Sequence, residues 1–313
     1  MPRNKTQFQK GFSLNEFIKQ YGTEDQCFDA LYNWRWPTGF QCPKCSHTKC
    51  CQLSSRKLQQ CNRCHHQTSL TAGTIFESTK LPLTLWFQGI YLITQDKKGI
   101  SAMKLRRHLG ISYNAAWRMK HKLMQVMMER DAQKKLSGFI ELDDAYLGGE
   151  RTGCKRGRGA ADKTPFVAAV ETTSEGCPMR IKLSVIKGFR KTEITSWSQR
   201  HLIKGSIVIS DGLACFNAVT DAGCLHDKIV CGGGRASVEE AEFYWVNTIL
   251  GNLKTSLRST YHAVRPKYAQ RYLSEFQYRF NRRFDLCELI PRLAYVALRT
   301  PPMPERLLKL GLV

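Results

Sequence analysis

Two Cys-x-x-Cys pairs constrain how the first third of this chain folds. Residues 42–45 read Cys-Pro-Lys-Cys, and residues 61–64, which follow after fifteen intervening residues, read Cys-Asn-Arg-Cys. Each pair directs two thiolates to one point, and two pairs complete the tetrahedron of a structural zinc site. Because the protein fills all four positions, the pattern predicts a zinc ribbon with no open position for chemistry. The predicted zinc ligands are Cys42, Cys45, Cys61 and Cys64.

The other cysteines fit a reducing environment. The chain has 13 cysteines, and no apolar signal-peptide stretch follows its first residues, so metal ligands and buried thiols are a better interpretation than disulfides. Four further residues near the ribbon are alternative ligands that we interpret as bystanders. They are Cys50, Cys51, His65 and His66.

The charge balance indicates a polyanionic partner. Lys and Arg number 48 against 26 Asp and Glu, which gives a net charge of +22. Such an excess favours nucleic acid as the partner, and the alternative is a soluble protein that is simply basic. No apolar run approaches the roughly 18 residues of a membrane span, so we expect no membrane association.

A helix-turn-helix pattern follows the ribbon. Residues 100–109 are amphipathic, Gly110 interrupts them, and Ser112 is placed to cap a second helix that starts at residue 113. This second helix is predicted to contact a DNA duplex, and the alternative is a helical hairpin with a solvated basic face. The predicted DNA contacts are Tyr113, Asn114, Arg118, Lys120 and Lys122.

Two other basic segments are candidates for phosphate contact. A loop at residues 150–163 contains Lys155, Arg156 and Arg158, and it is either a phosphate-binding loop or a solvated hairpin tip. A predicted helix at residues 268–283 mixes aromatic residues with arginines. Its candidate phosphate contacts are Arg279, Arg282 and Arg283.

Carboxylates leave the end of a predicted core strand at residues 139–149, which read Phe-Ile-Glu-Leu-Asp-Asp-Ala-Tyr-Leu-Gly-Gly. Further strands are predicted at residues 166–171, 180–186 and 207–212, with a short one at 229–230. Helices are predicted at residues 192–203 and 238–257. This order predicts a mixed α/β sheet in which Asp143 and Asp211 meet at one edge. Two carboxylates there suit magnesium or manganese.

Several of these segments together resemble the bacterial insertion-sequence transposases that carry an N-terminal zinc ribbon. The resemblance lies in residues 141–149, in Ser-Asp-Gly at 210–212, and in Trp-Val-Asn-Thr at 245–248 with Asn-Leu-Lys at 252–254. Residues 71–76 and 272–283 extend it over most of the chain. That group has an Asp-Asp-Asn-Lys variant of the Asp-Asp-Glu catalytic set, and the resemblance implies an RNase H-like catalytic core.

The resemblance also implies specific catalytic residues. Asp143 matches the first catalytic Asp, with Asp144 as the alternative, and Asp211 matches the second. Asn247 follows 36 residues later, and Lys254 lies seven residues beyond it, on the same helix face. Three glutamates compete as the third ligand, but none has a basic residue seven positions on. They are Glu239, Glu240 and Glu242.

The implied function is a DNA transposase. Two magnesium or manganese ions held by Asp143, Asp211 and Asn247 would support cleavage of the ends of an insertion sequence and strand transfer into target DNA. We expect a homo-oligomer on double-stranded DNA, in the bacterial cytoplasm and at the nucleoid when bound. The alternatives are a zinc-ribbon DNA-binding regulator with an inactive core and a non-transposing metal-dependent nuclease.

The expected domain order follows from these assignments. A helical N-terminal segment occupies residues 1–37, the zinc ribbon 38–80 and the helix-turn-helix segment 81–135. The RNase H-like catalytic domain occupies residues 136–285, and a C-terminal helix and tail occupy 286–313.

Overall fold

The computed structural model describes residues 11–53, 56–148, 163–230 and 241–311. The loop that carries Lys155, Arg156 and Arg158, together with Glu239 and Glu240, lies outside these ranges. The chain divides into two compact units. The first contains residues up to 96, 100–126 and 284–309, and the second contains residues 97–99, 127–283 and the C-terminus from 310.

The first unit begins with two capped helices. Helix α1 (Leu14–Tyr21) and helix α2 (Glu24–Arg35) both start with a capping box. In α1 the Ser13 hydroxyl accepts from the Glu16 N–H, and the Glu16 carboxylate accepts from the Ser13 N–H. The apolar helix α3 (Leu83–Gln95) lies against both of them, and its side chains form much of this unit's core.

A small antiparallel sheet carries the cysteine pairs. Its strands are β1 (Cys50–Leu53), β2 (Leu58–Cys61) and β3 (Gln67–Ser69), in the order β1-β2-β3.

The predicted helix-turn-helix pattern forms helix α4 (Ala102–Leu109) and helix α5 (Tyr113–Ala132). Gly110 adopts φ 64°, a left-handed conformation that ends α4 and that glycine adopts without steric cost. The Ser112 hydroxyl accepts from the Ala115 N–H at 3.2 Å and caps α5.

A five-stranded mixed sheet forms the centre of the second unit. Its strands are β4 (Phe139–Leu147), β5 (Thr164–Thr172), β6 (Pro178–Val185), β7 (Ile207–Ser210) and β8 (Leu225–Lys228). Their order is β6-β5-β4-β7-β8. The first three form an antiparallel meander, while β7 and β8 run parallel to β4. The predicted mixed α/β, RNase H-like fold class is therefore confirmed.

The last strand differs from the prediction. We expected it at residues 229–230, but it is β8, and it ends at Lys228. Its Leu-His-Asp-Lys sequence is mostly exposed because β8 is the edge strand, so no apolar run marks it.

Helices cover both faces of the sheet. Helix α6 (Lys191–His201) and a 3₁₀ segment (Ala214–Ala222) cover one face, where Ile140 and Leu142 of β4 are buried. Helix α7 (Tyr244–Thr260) covers the other face, where Ala145 is buried. Alternate residues of β4 thus face opposite layers. Helix α7 was expected from residue 238, but residues 241–243 form a 3₁₀ turn and the α-helix starts at Tyr244.

Helix α8 (Ala269–Phe280) lies along the outer edge of the sheet, where three amide side chains bind the main chain of β6. The side-chain oxygens of Gln270, Gln277 and Asn281 accept the N–H groups of Val185, Leu183 and Ile181, each at 2.8 Å. These contacts satisfy backbone donors that an open edge would leave unpaired.

A buried polar cluster joins the end of α5 to α8, and we call it the Asp131 cluster. Arg282 makes an ion pair with the Asp131 carboxylate at 2.6 Å, and both side chains are buried. The Lys182 ammonium donates to the Asp131 carbonyl at 2.5 Å, and burial lowers the pKa of Lys182 to about 8. The remaining members are Gln277 and Asn281.

The cluster corrects one expectation about the arginines of this region. Arg282 is buried against Asp131, so it does not reach a phosphate on the surface. Arg279 donates to the Lys97 carbonyl at 2.8 Å, and Arg283 donates to the Met179 carbonyl at 3.1 Å. These side chains satisfy carbonyl groups and a carboxylate of the protein itself.

Two C-terminal helices follow. Helix α9 (Leu289–Ala297) packs against α2 and α3 within the first unit, and helix α10 (Glu305–Leu310) comes last. Within the described ranges, no helix has the length and apolar character needed to cross a membrane.

Candidate active site and zinc centre

The four predicted zinc ligands come together in the ribbon. Their sulfur atoms all lie within 4.8 Å of one another. The Cys42–Cys64 sulfurs are 3.6 Å apart, and the Cys45–Cys61 sulfurs are 3.5 Å apart. Four sulfurs around zinc at about 2.3 Å lie about 3.8 Å from one another, so the cluster fits the ion.

Both cysteine turns have the same backbone geometry. The Ser46 N–H donates to the Cys42 carbonyl at 2.9 Å, and the His65 N–H donates to the Cys61 carbonyl at 3.0 Å. Ser46 and His65 both adopt positive φ, at 57° and 55°. The repeated turn explains why each pair presents two sulfurs to one point.

The surroundings of Cys61 favour a thiolate. Burial alone would raise the pKa of Cys61, but N–H groups of Cys64 and Arg63 donate to the sulfur and lower that pKa below its ordinary value. A lower pKa favours the form that binds zinc. Nearby, the Cys50 thiol contacts Gln59, and the Cys51 thiol contacts the Gln60 carbonyl.

The second cluster of ligand atoms consists of Asp143, Asp144 and Asp211. One carboxylate oxygen from each lies within 4.8 Å of the other two. Strand β4 runs parallel to β7 with Leu142 beside Ser210, so the next residue of each strand, Asp143 and Asp211, lies at the same level. Hard oxygen ligands at this spacing fit a divalent cation.

Local structure fixes the two strand ends. The Asp144 N–H donates to the Asp143 carboxylate at 2.8 Å, and the Leu213 N–H donates to the Asp211 carboxylate at 3.1 Å. Gly212 turns the chain directly after Asp211 with φ 83°, a conformation that disfavours any side chain.

A buried carboxylate that sequence reasoning missed attaches α7 to β4. Glu141 is 6% exposed and accepts the Val246 N–H at 2.7 Å, in the first turn of α7. Burial raises the pKa of Glu141 to about 7, although N–H groups of Val246 and Trp245 act in the opposite direction. The signal was present in the sequence, because Glu141 precedes Asp143 by two residues and so shares its face of the strand.

Asn247 directly follows Val246, whose N–H donates to the Glu141 carboxylate. It is half-buried, and Lys254, two turns further along α7, is exposed. The competing residue Glu242 is exposed in the 3₁₀ turn that precedes the helix.

The predicted DNA-contacting residues of α5 divide into two groups. Tyr113, Asn114 and Arg118 are exposed. Lys120 is buried and donates to the Ile100 carbonyl at 2.7 Å, so its ammonium is directed into the protein and not toward a duplex, contrary to the prediction.

Lys122 is also partly withdrawn from the surface. Its ammonium donates to the Ile75 carbonyl at 2.7 Å. Burial lowers the pKa of Lys122. Both lysines satisfy main-chain carbonyls, which sequence spacing alone does not reveal.

Comparison with known proteins identifies the domains. Residues 135–281 match the family described as "ISXO2-like transposase domain", a DDE transposase domain, and residues 22–67 match "Transposase zinc-ribbon domain". A curated relative from Halobacterium salinarum, described as "Uncharacterized protein in transposable element ISH50", is 28% identical over 177 residues. The match covers 50% of this chain, and the chain spans 58% of the relative's length.

The mixed sheet and its carboxylate cluster lie within the matched DDE transposase domain, a class of domain found in enzymes that cleave nucleic acids. The chain carries an ISXO2-like transposase domain, and a transposase zinc-ribbon domain precedes it. The predicted resemblance is confirmed.

Proposed function

We propose that this chain is a transposase that binds the ends of an insertion sequence, cleaves them and transfers the cleaved strand to target DNA. The observation that carries the proposal is the convergence of Asp143, Asp144 and Asp211 at one edge of a DDE-domain sheet. The basic surplus of the chain supports DNA as the substrate, since +22 charges favour a polyanion.

The proposed metal ligands are Asp143, Asp211 and Asn247. Asp143 is preferred over Asp144 because it lies on the face of β4 that is covered by α7. Two neighbours on that face show this: Glu141 accepts the Val246 N–H, and Ala145 is buried in the core cluster that includes residues of α7. Asn247 follows the residue that Glu141 anchors, which favours it as the third ligand. Two magnesium or manganese ions bound there would lower the pKa of the attacking water and stabilise the leaving oxygen of a phosphodiester.

The residues of the chain then have separate roles. The carboxylates of Asp143 and Asp211 balance the charge of bound cations, and the Asn247 amide adds a neutral oxygen ligand. Lys254 holds a phosphate near the bond to be cut, because it is exposed on the same face of α7.

The DNA-binding surfaces are assigned to the zinc ribbon and the exposed start of α5. Tyr113, Asn114 and Arg118 contact the duplex of the element end, whereas Lys120 and Lys122 support the helix from inside. The basic loop adds phosphate contacts through Lys155, Arg156 and Arg158. The enzyme acts as a homo-oligomer on DNA, at the bacterial nucleoid, because two ends are joined in one reaction.

The test uses DNA that contains the segments flanking the gene. Wild-type protein is expected to nick these segments only with magnesium or manganese and then to join the 3′ end to a target plasmid. Asp143→Ala and Asp211→Ala should each abolish both steps, while Asn247→Ala should raise the metal concentration needed. Asp227→Ala, which removes an exposed carboxylate from neighbouring β8, is the matched control and should retain activity.

Other outcomes identify other functions. Cleavage without preference for the flanking segments, and without strand transfer, would indicate a nuclease. Specific binding without metal-dependent nicking would indicate a regulator. Full activity in Asp143→Ala and Asp211→Ala would show that the metal site is assigned incorrectly.

A further inference from the structure

One row of residues runs along a single face of helix α7, from Tyr244 at its start to Arg258 near its end. Its residues follow a spacing of three and four, which places them in one row along the helix. They are Tyr244, Asn247, Gly251, Lys254 and Arg258. Tyr244, Lys254 and Arg258 are exposed, Asn247 is half-buried, and the central position is a glycine.

Neither backbone conformation nor packing within the described residues explains Gly251. Its φ is not positive, since it lies inside a regular α-helix. A Cβ built on Gly251 would meet no heavy atom of the described part of the chain within 4 Å. By contrast, a Cβ on Gly89 of α3 would lie 2.5 Å from the Met119 sulfur, so packing explains that glycine.

A glycine at an exposed helix position destabilises the helix relative to alanine. A glycine at such a position leaves room for another group to approach the helix backbone closely. The position on α7 indicates which group this is. Asn247 and Lys254 lie on either side of it, and they are the residues proposed to contact the metal and a phosphate.

The distances along the helix agree with a DNA strand. Asn247 and Lys254 are seven residues apart, which corresponds to about 10.5 Å of helix rise. This is the rise of about three nucleotides in one strand of B-form DNA. A strand that reaches both side chains therefore crosses Gly251 on the way.

We propose that Gly251 is a positioning residue that lets the sugar-phosphate backbone of the cleaved strand lie directly on α7 between Asn247 and Lys254. The inference rests on the proposed function and adds the path of the DNA strand to it. A side chain at position 251 lifts the strand from the helix and moves the scissile phosphate away from Asp143 and Asp211.

Substitution separates this role from a structural one because stability and activity change in opposite directions. Gly251→Ala is expected to raise Tm by about 1–4 °C through helix propensity. It should also slow single-turnover cleavage of the flanking DNA roughly 10- to 100-fold, since small displacements of reacting groups have effects of this size. Gly251→Leu should remain folded and be slower still.

Asn252→Ala is the matched control. Asn252 is exposed on the same helix but points about 100° away from Gly251, and alanine raises helix propensity there as well. This variant should gain stability and keep the wild-type cleavage rate. A substrate series with a one-nucleotide gap at successive positions next to the cleavage site gives a second readout. A gap at one position should restore cleavage by Gly251→Ala.

The outcomes distinguish the role of Gly251 from the proposed transposase function. If wild-type protein does not cleave the flanking DNA, the proposed function fails and the inference falls with it. If wild-type protein cleaves and Gly251→Ala cleaves at the same rate, only the inference is overturned. A change of oligomeric state in Gly251→Ala with unchanged DNA affinity would assign the face to a protein interface, which also overturns it.

Discussion

Removing the Asp131 carboxylate is expected to destabilise the second unit strongly. In Asp131→Ala the buried Arg282 guanidinium, whose side chain is only 8% exposed, loses the carboxylate that balances its charge. Its contacts with the Tyr278 carbonyl at 3.1 Å and the Tyr278 ring at 3.6 Å would remain. Loss of one partner from a buried ion pair costs about 3–5 kcal/mol. With an m-value of about 2 kcal/mol per molar urea, the unfolding midpoint should fall by roughly 1.5–2.5 M.

The assay is urea unfolding of the full chain, followed by hydrogen exchange of peptides from α5 and α8. An exposed ion pair in the same unit is the control. Lys191 and Asp221 are 3.8 Å apart at the surface, and Asp221→Ala should cost at most about 1 kcal/mol. The double variant Asp131→Leu/Arg282→Met should be more stable than the two single effects added together predict.

A midpoint for Asp131→Ala within about 0.3 M of wild type, well below the expected shift, would refute the reasoning. It would mean that the Arg282 guanidinium is hydrated, or binds another partner, with little loss of folding free energy. The same variants test the role of Arg282 toward DNA. Because Arg282 is buried, Arg282→Met should leave the slope of DNA affinity against salt unchanged.

Three further results are expected. Chelation of zinc, or the substitution Cys61→Ser, should unfold the ribbon and abolish binding to element ends, while the circular dichroism signal of the mixed sheet persists. Titration with a colorimetric chelator measures the zinc that is released. Burial lowers the pKa of His201 to about 3, below its unfolded value of about 6.5, so protonation favours the unfolded chain. Wild-type Tm should therefore fall between pH 7 and pH 5 more than that of His201→Phe, and equal slopes would contradict this assignment. Arg118→Ala should weaken DNA binding and reduce the salt slope by about 1, whereas Lys120→Met should lower Tm without a change in that slope.

Local patterns in the sequence were enough to predict the mixed α/β sheet, whereas the RNase H-like core was predicted from the family resemblance. The spacing of the cysteines predicted the ribbon, because two paired turns at that separation bring four sulfurs together. The apolar runs that end at Asp143 and Asp211 predicted strands whose ends meet, and the register of β4 and β7 places them side by side. Ser112 signalled the start of α5 through its own hydrogen-bonding chemistry.

The direction of long cationic side chains was not predictable in the same way. Lys120 and Arg282 occur in stretches that read as basic surfaces, yet both are buried against oxygen atoms contributed by distant residues. Their partners lie 20 and 151 residues away, respectively. The role of Glu141 depends in the same way on a helix that starts about a hundred residues later. Tertiary contacts of this kind leave no periodic signal.

The amide contacts along β6 have a consequence for synthesis of the chain. Each joins residues 85 to 100 positions apart, so β6 is made long before α8 can cover it. At a synthesis rate of about 5–20 residues per second, these N–H groups of β6 stay unpaired for roughly 4–20 s. During that interval another nascent chain can pair with β6, and a truncated product that ends before α8 keeps the edge open permanently. Fragments of this gene should therefore aggregate more readily than the full-length protein.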